Sequence, residues 1–340
     1  MSTKPRIIVP QVVYQITAEG TEEIQLFGKD VLKKFFIDQL ARISNKYELD
    51  CYAFSLTANQ YYLLVRSSEQ SISIAMQNFN SVIAKKFNKT EKRHGTVFGS
   101  RFSALVIEQD KLKELVSFIH LQPVANGECS LEQLDNYKWS GHYSLIGNKP
   151  PNFLNVQYVL DLFDMSEPVK NYQDYIKQFT SNKQNEQLIK YLKDANSGKL
   201  SFHKREVWVL GKPQFVKQIL ELDSSRRARI ARYVKENVSM ERIVEEVTKS
   251  LCLPAREIFR QGLFDVKSTA RELFAYMGKF RFDFSGAQLA RHLNVTESAV
   301  SRMISRFNSV ECKDFFVKMV NAEFTSSPLE QPENHLNSLY

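Results

Sequence analysis

The sequence predicts an α+β domain, with helices packed on an antiparallel sheet, followed by an all-α domain. In the first third of the chain, short alternating apolar runs that are typical of strands interleave with amphipathic helical runs. Near the C-terminal end, two short helical patterns flank a turn, which indicates a helix-turn-helix motif. These two observations predict the fold class.

The elements of the first domain follow from hydrophobic periodicity. A period of two indicates strands at 12–17, 51–56, 61–65 and 97–107, and the middle two form a hairpin. A period of 3.6 indicates helices at 30–46, 71–87 and 110–121. Pro123 is expected to stop the third helix. Two helices against one antiparallel sheet form a ferredoxin-like arrangement.

The chain length allows more than one domain. A chain of 340 residues with 43% apolar residues can bury two cores. We place the first domain at 1–165, a mostly polar helical linker at 166–235 and a helix-turn-helix domain at 236–320. The tail at 325–340 has the composition of a disordered segment.

Charge and cysteine usage restrict the partners. A formal net charge of +8 favours a polyanion such as DNA. The four cysteines are widely spaced, so neither a zinc site nor a disulfide framework is indicated. Because no apolar run is long enough to span a membrane, we expect a cytoplasmic, nucleoid-associated protein without a membrane partner.

The segment at 54–65 has the sequence Phe-Ser-Leu-Thr-Ala-Asn-Gln-Tyr-Tyr-Leu-Leu-Val. In its setting it resembles the metal-binding strand of the single-strand (HUH-type) tyrosine transposases, which include the REP-associated tyrosine transposases. That family has the pattern Pro-Asn-His-hydrophobic-His-Leu-Leu-Val. Gln60 and Tyr62 occupy the two histidine positions.

Four further segments resemble the same family, in the family's order, within residues 6–165. They are Tyr-Gln-Ile-Thr-Ala-Glu-Gly at 14–20, Val-Phe-Gly-Ser-Arg-Phe at 97–102, Phe-Ile-His-Leu-Gln-Pro-Val at 118–124 and Tyr-Lys-Trp-Ser-Gly-His-Tyr at 137–143. Glu19 replaces the family's usual arginine in the first of them. The resemblance implies a ferredoxin-like HUH-nuclease domain.

The same resemblance implies that the catalytic residues are lost. In the family, two imidazoles on one strand face bind a divalent metal, and a tyrosine attacks the phosphate. Phe118 occupies the position of that tyrosine, and Gln122 falls where the family places a third ligand. Since Gln60, Tyr62 and Gln122 offer only neutral oxygens, they match a catalytic Mg²⁺ poorly. We therefore expect an inactive protein without a metal or another cofactor.

Two other interpretations of these positions stay open. Tyr61 or Tyr62 could have become a substitute nucleophile, which would make the chain an active or partly active single-strand transposase or nuclease. Against this, a tyrosine-rich strand is ordinary core packing. His120, inside the helix motif, fits a packing residue better than a ligand.

A basic segment at 85–95 carries five cations and a single acid. Such a run is usually a solvated face. Beside the rings of Phe98 and Phe102, however, its cations are candidates for phosphate contacts with single-stranded or hairpin DNA. The candidate residues are Lys85, Lys86, Lys92, Arg93 and Arg101.

The segment at 284–307 carries the helix-turn-helix pattern. Ser285 and Gln288 form a capping box, Asn294 can adopt the left-handed turn, and Thr296 caps the second helix. The residues predicted to point outward are Thr296, Glu297, Ser298, Ser301, Arg302, Ser305 and Arg306. With the helices expected at 240–250, 254–261 and 267–277, the segment is similar to the C-terminal duplex-binding domain of the replication initiator DnaA. A helical hairpin without a ligand is the alternative.

The sequence thus predicts a catalytically inactive, domesticated transposase relative that binds duplex DNA and regulates transcription. Arg302 is the first candidate for reading guanine, with help from Ser298 and Ser301. A homodimer is compatible with the resemblance, because relatives form dimers in some branches. A protein-interaction scaffold is a further alternative, in which the nuclease-like fold serves only for dimerisation.

Overall fold

A computed structural model describes residues 6–21, 24–68, 72–164, 166–197, 199, 204–235, 240–251, 254, 266–280, 282 and 284–308. The chain forms two compact units, Met1–Ser225 and Arg226–Tyr340. None of the described helices is both long and apolar enough to cross a membrane.

The first unit is built on a mixed five-stranded sheet. Its first part runs β1 (Val13–Glu19), α1 (Asp30–Tyr47), β2 (Asp50–Leu56), β3 (Gln60–Arg66), α2 (Ile72–Thr90) and β4 (Ser103–Ile107). Its second part runs α3 (Leu112–His120), α4 (Gln122–Ala125), α5 (Gly141–Leu145), α6 (Val156–Asp161), α7 (Pro168–Phe179), α8 (Lys183–Asn196), β5 (Val209–Leu210) and the start of α9 (Pro213–Lys235). The strand order is β2-β3-β1-β4-β5. Neighbours among the first four strands are antiparallel, and β5 is parallel to β4.

Each face of the sheet carries its own core. Alternation along β3 places Tyr61 in the core shared with Phe36 of α1 and Phe79 of α2. Tyr62 lies in the opposite core, together with Phe118 of α3 and Tyr172 of α7. Burial of both faces explains why β3 is apolar over most of its length.

The predicted α+β class and the hairpin of β2 and β3 are confirmed in the first unit. The strand expected at 97–107 begins only at Ser103, because the preceding segment turns to bridge Phe98 to Gly20. The third helix ends at His120, but Pro123 does not end helical structure. It lies in the first turn of α4, where backbone N–H groups have no acceptor within the helix. Proline is tolerated there because the N–H group that it lacks would make no helical hydrogen bond.

The segment at 166–225 belongs to the first compact unit, whereas the sequence favoured a separate helical linker. Its helices are amphipathic and bury Tyr172, Ile176, Phe179 and Leu192 in the core that contains Leu64 and Leu105 of the sheet. Val209 of β5 pairs with Val106 and extends the sheet. The polar faces of α7 and α8 dominate the composition and conceal these buried positions.

The second unit is helical over its described residues. It contains the end of α9, then α10 (Met240–Ser250), α11 (Val266–Phe280), α12 (Gly286–His292) and α13 (Glu297–Asn308). Its core includes Val247, Phe274, Leu289, Val300 and Phe307. The helix predicted at 254–261 and the tail at 325–340 lie outside the described residues, apart from residue 254.

Candidate functional sites

The four positions at which the sequence led us to expect lost catalytic residues, Gln60, Tyr62, Phe118 and Gln122, lie near the same face of the sheet. Gln60 and Tyr62 alternate along β3, and the Tyr62 hydroxyl donates to Gln60 Oε1. Gln122 donates from Nε2 to the carbonyl of Phe118 at 2.8 Å. Asn126, which the sequence analysis missed, donates to the carbonyl of Gln122 at 2.9 Å. These polar groups are therefore held mainly by one another.

The donor set at these positions does not fit a divalent cation. Gln60 Oε1 already accepts from Tyr62, and Gln122 Oε1 lies 3.5 Å from Asn126 Nδ2. Neither Gln60, Tyr62 nor Gln122 supplies a carboxylate or an imidazole, the ligands that such metals favour. Across the described residues, no group of three or more His, Cys, Asp or Glu is arranged to hold a metal.

The two tyrosines proposed as substitute nucleophiles are both buried. Tyr62 is 3% exposed, and burial raises its pKa to about 12. Tyr61 lies on the other face of the sheet, where its hydroxyl donates to Asn80 Oδ1 at 2.6 Å and burial raises its pKa. A phenol must reach the phosphate and lose its proton to attack it, and both requirements are opposed here.

His120 belongs to a buried hydrogen-bond network. Its Nδ1 lies 2.8 Å from the Tyr172 hydroxyl, which also lies 2.6 Å from Nδ1 of His142. His142 Nε2 lies 2.7 Å from Asp135 Oδ1. Gly141 makes room for this arrangement, since a Cβ atom there would lie 2.6 Å from His120 Nε2.

The hydrogen positions of this network follow from its acceptors. An ionised Asp135 can only accept, so His142 carries its hydrogen on Nε2, and its Nδ1 accepts from the Tyr172 hydroxyl. The Tyr172 oxygen then accepts from Nδ1–H of His120. His120 Nε2 is left as a buried acceptor without a partner among the described residues. The network joins α3 and α5 to α7 and is a structural element of this face.

The buried histidines predict a loss of stability in mild acid. Burial lowers the pKa of His120 well below its ordinary value, with a further effect of His142. Burial also lowers the pKa of His142, and Asp135 opposes this shift. Because the unfolded chain binds these protons at about pH 6.5 and the folded unit does so only at lower pH, stability is full above about pH 6.5 and declines below it. Thermal melting of the first unit, followed by tryptophan fluorescence between about pH 8 and pH 5, should show this decline.

His120→Gln should flatten that dependence, because one of the two titrating groups is removed. His94→Gln is the matched control, since it replaces an exposed histidine outside the buried network. If the melting temperature depended on pH identically in the wild type and in His120→Gln, the claim that the buried His120 contributes to the loss of stability in acid would be contradicted.

The basic segment does not present its cations uniformly. Lys86 Nζ lies 5.3 Å from the centre of the Phe35 ring, and the Arg93 guanidinium lies 5.7 Å from that of Phe87. Lys85 and Lys92 are exposed to solvent. Arg101 is also exposed and lies in the lining of a cavity. Thus two of the predicted phosphate contacts also cover aromatic rings, and three are accessible.

The helix pair α12 and α13 has the predicted local features. Ser285 Oγ accepts from the Gln288 N–H at 3.1 Å, and Gln288 Oε1 accepts from the Ser285 N–H at 2.8 Å, which completes the capping box. Asn294 in the connecting turn has φ +50°, the left-handed conformation. Thr296 Oγ1 accepts from the Ala299 N–H at 3.2 Å and caps α13.

The outer face of α13 is polar and solvent-exposed. All seven residues predicted to point outward are exposed: Thr296, Glu297, Ser298, Ser301, Arg302, Ser305 and Arg306. Arg306 Nη1 lies 3.5 Å from Oε1 of the buried Glu272, so this residue also anchors α13 to α11. Arg302 Nε makes a long contact of 3.4 Å with the carbonyl of Ser298, and no described acid pairs with its guanidinium. Arg302 is therefore the exposed arginine of this helix best placed to engage an external ligand.

A close helix contact that the sequence analysis missed supports this face. Gly278 of α11 lies against Leu289 of α12, and a Cβ atom at Gly278 would lie 2.5 Å from Leu289 Cδ2. Leu289 is fully buried, so it has little freedom to move aside. The glycine inside a helical pattern was the available signal, but its partner could not be read from the sequence.

Comparisons with known proteins give weak similarity to solved structures. No family model matches the chain, and no curated protein matches it. Among solved structures, a REP-associated tyrosine transposase bound to a REP hairpin is similar, with a TM-score of 0.36 and 15% identity. The match covers 49% of this chain and 96% of that one. At this level of similarity it carries no inference about function.

Proposed function

We propose that this chain is a catalytically inactive protein that binds duplex DNA sequence-specifically and regulates transcription. The observation that carries the proposal is the outer face of α13, where a capped helix after a tight turn exposes hydroxyl groups and Arg302. A helix of this kind can enter the major groove of duplex DNA and contact base edges there.

The chemistry of the exposed residues suits base recognition. Arginine can donate two parallel hydrogen bonds to guanine, whereas serine and threonine can contact several bases. Ser298, Ser301 and Arg302 are spaced so that they share one side of the helix. The formal net charge of +8 adds a general attraction for the phosphate backbone.

The first unit is proposed to be a ferredoxin-like HUH-nuclease domain that has lost its chemistry. The order β-α-β-β-α-β and the antiparallel arrangement β2-β3-β1-β4 support the ferredoxin-like part of this proposal. The packing of Tyr62 and Phe118 in a common core, and the hydrogen bond that the Tyr62 hydroxyl donates to Gln60 Oε1, support the loss of catalysis.

Selection from separate libraries of double-stranded, single-stranded and hairpin DNA tests the proposal. The purified full chain is incubated with random duplexes, random single strands and random hairpins at near-physiological salt, and the retained molecules are sequenced. We expect a short consensus to be enriched only from the duplex library. Enrichment from single strands or hairpins, with none from duplexes, would contradict the proposal.

The alternative of a displaced tyrosine nucleophile predicts a covalent protein–DNA adduct. With labelled hairpin DNA and Mn²⁺, we expect no adduct on a denaturing gel, because Tyr61 and Tyr62 are buried and their pKa values are raised. An adduct that disappears in Tyr61→Phe or in Tyr62→Phe but persists in Tyr143→Phe would establish the alternative.

A further inference from the structure

The first unit contains a cavity of about 420 Å³ that the proposed duplex contact does not use. It is lined by residues 6 and 7, by residues of β1, by Gln60 of β3, by the segment that leads into β4 and the start of that strand, and by the end of α8 and the segment that follows it. Its volume falls within the range of about 300–1,000 Å³ that is typical of sites for small organic ligands. We call it the arginine cavity, after Arg6, Arg101 and Arg205 in its lining.

The charged groups in the lining of the arginine cavity are mainly cationic. Three guanidinium groups face one carboxylate, that of Glu19. Arg205 is paired with the buried Asp223, which also accepts from the Ile8 N–H at 3.1 Å. Within the described part of the chain, Arg101 has no acidic partner. The cavity therefore has cationic capacity that its own acids do not neutralise, and this favours an anionic ligand.

Two of the arginines repel each other. Arg6 is fixed by hydrogen bonds from its guanidinium to the carbonyl of Phe102, and its Cζ lies 3.7 Å from the centre of the Phe102 ring. Burial, and then the nearby charge of Arg101, lower the pKa of Arg6 to about 10. An anion between these groups would offset their repulsion and replace part of the lost hydration.

The remaining lining supplies a surface for a ring and groups for hydrogen bonds. Trp208, which is only partly buried, contributes aromatic surface. Asn196, at the end of α8, contributes an amide whose Oδ1 accepts from Gln15 Nε2 at 3.0 Å and from Thr17 Oγ1 at 3.4 Å. Ser100, Ser103 and Ser197 add hydroxyl groups. Inorganic phosphate alone would leave most of this apolar and polar surface without a partner.

From these features we infer that the arginine cavity binds a small phosphorylated ring compound of the nucleoside monophosphate class. The arginines receive the phosphate, the aromatic surface receives the planar ring, and the hydroxyl and amide groups contact the sugar or the ring edge. A ligand in this cavity would give the proposed regulator an effector site in its first unit, separate from the residues of α13.

Calorimetric titration of the full chain tests this inference. The probes are adenosine, guanosine, cytidine and uridine monophosphates, the four nucleosides, inorganic phosphate and a 5′-phosphorylated oligonucleotide. We expect saturable binding of at least one monophosphate, at least about tenfold tighter than binding of its nucleoside or of phosphate, because charge-assisted bonds to the phosphate add to contacts of the ring.

Two substitutions address the cavity without removing core volume. Arg101→Gln removes the accessible cation, and Asn196→Asp adds a second negative charge while keeping an oxygen that can accept from Gln15 and Thr17. Each should weaken monophosphate binding by about tenfold or more. Arg42→Gln is the matched control, since Arg42 is an exposed cation of α1 outside the cavity lining, and it should bind like the wild type.

Three results would overturn the inference. The first is no heat of binding from any monophosphate at millimolar concentration. The second is equal binding of inorganic phosphate and monophosphates. The third is much tighter binding of a 5′-phosphorylated oligonucleotide than of any mononucleotide, which would assign the cavity to the end of a DNA strand.

Discussion

Phe307→Ala is expected to destabilise the second unit by about 3–5 kcal/mol and to abolish sequence-specific DNA binding. Phe307 is fully buried near the end of α13, and its ring centre lies 5.0 Å from that of Tyr276 in α11. Its removal leaves a cavity between these two helices. Because a typical domain has only about 5–15 kcal/mol of stability, this loss is a large fraction of the total.

Two optical signals can separate the effects of this substitution on the two units. Both tryptophans of the chain, Trp139 and Trp208, lie in the first unit, so tryptophan fluorescence reports the unfolding of that unit. Far-UV circular dichroism reports helices of both units. We expect Phe307→Ala to lower the midpoint temperature of the dichroism transition that belongs to the second unit. The midpoint temperature followed by tryptophan fluorescence should stay unchanged.

Phe307→Leu is the control for the size of the cavity. It keeps most of the buried apolar volume and should cost less than about 1.5 kcal/mol. If Phe307→Ala bound the selected duplex as tightly as the wild type, the docking of α13 onto α11 would not be required for DNA recognition.

Arg302→Ala is expected to weaken binding to the selected duplex by about 1–3 kcal/mol, or roughly 5- to 150-fold. The physical reason is the loss of two parallel hydrogen bonds to guanine, which random DNA presents in the required register only by chance. Binding to random duplex should therefore change little. Fluorescence anisotropy with the selected duplex and with a scrambled version of it measures both affinities.

Arg302→Lys is the matched variant, because it keeps the charge and removes the planar fork of donors. It should lose specificity while retaining its affinity for random DNA. Arg291→Ala controls for general charge, since Arg291 is an exposed cation of α12. An equal loss on selected and random duplexes in Arg302→Ala would make Arg302 a phosphate contact instead of a base contact.

Patterns local in sequence predicted several elements of both units. The alternation that places Tyr61 and Tyr62 on opposite faces, the capping box at Ser285 and the left-handed turn at Asn294 each depend on a few neighbouring residues. The structure gives all three as expected.

Contacts between distant residues could not be predicted in the same way. Tyr172 bonds His120 across 52 positions, and Asn196 bonds Gln15 across 181 positions. No periodicity identifies such partners. The segment at 166–225 has a mostly polar sequence, and its few buried residues have their partners in the sheet and in α3. Its place in the first core could therefore not be predicted from its own sequence.

In the candidate sites, too, features set by neighbouring residues were predictable, whereas contacts between distant residues were not. The exposure of Arg302 follows from helical periodicity, whereas the partner of Arg306 is a buried acid of α11 that lies far away in sequence. Arg101 was expected in a phosphate track, and the structure places it in the lining of a cavity with Arg6 and Arg205. These three arginines are brought together only by the fold.

The most direct test of the central claim is capture of sheared genomic duplex DNA by the purified full chain at near-physiological salt, followed by sequencing. Wild type and Arg302→Ala are compared side by side. We predict that the wild type retains fragments that share a narrow motif upstream of a few genes, and that the variant loses this enrichment. Uniform, salt-sensitive retention of all fragments by both proteins would contradict the claim that α13 reads a DNA sequence.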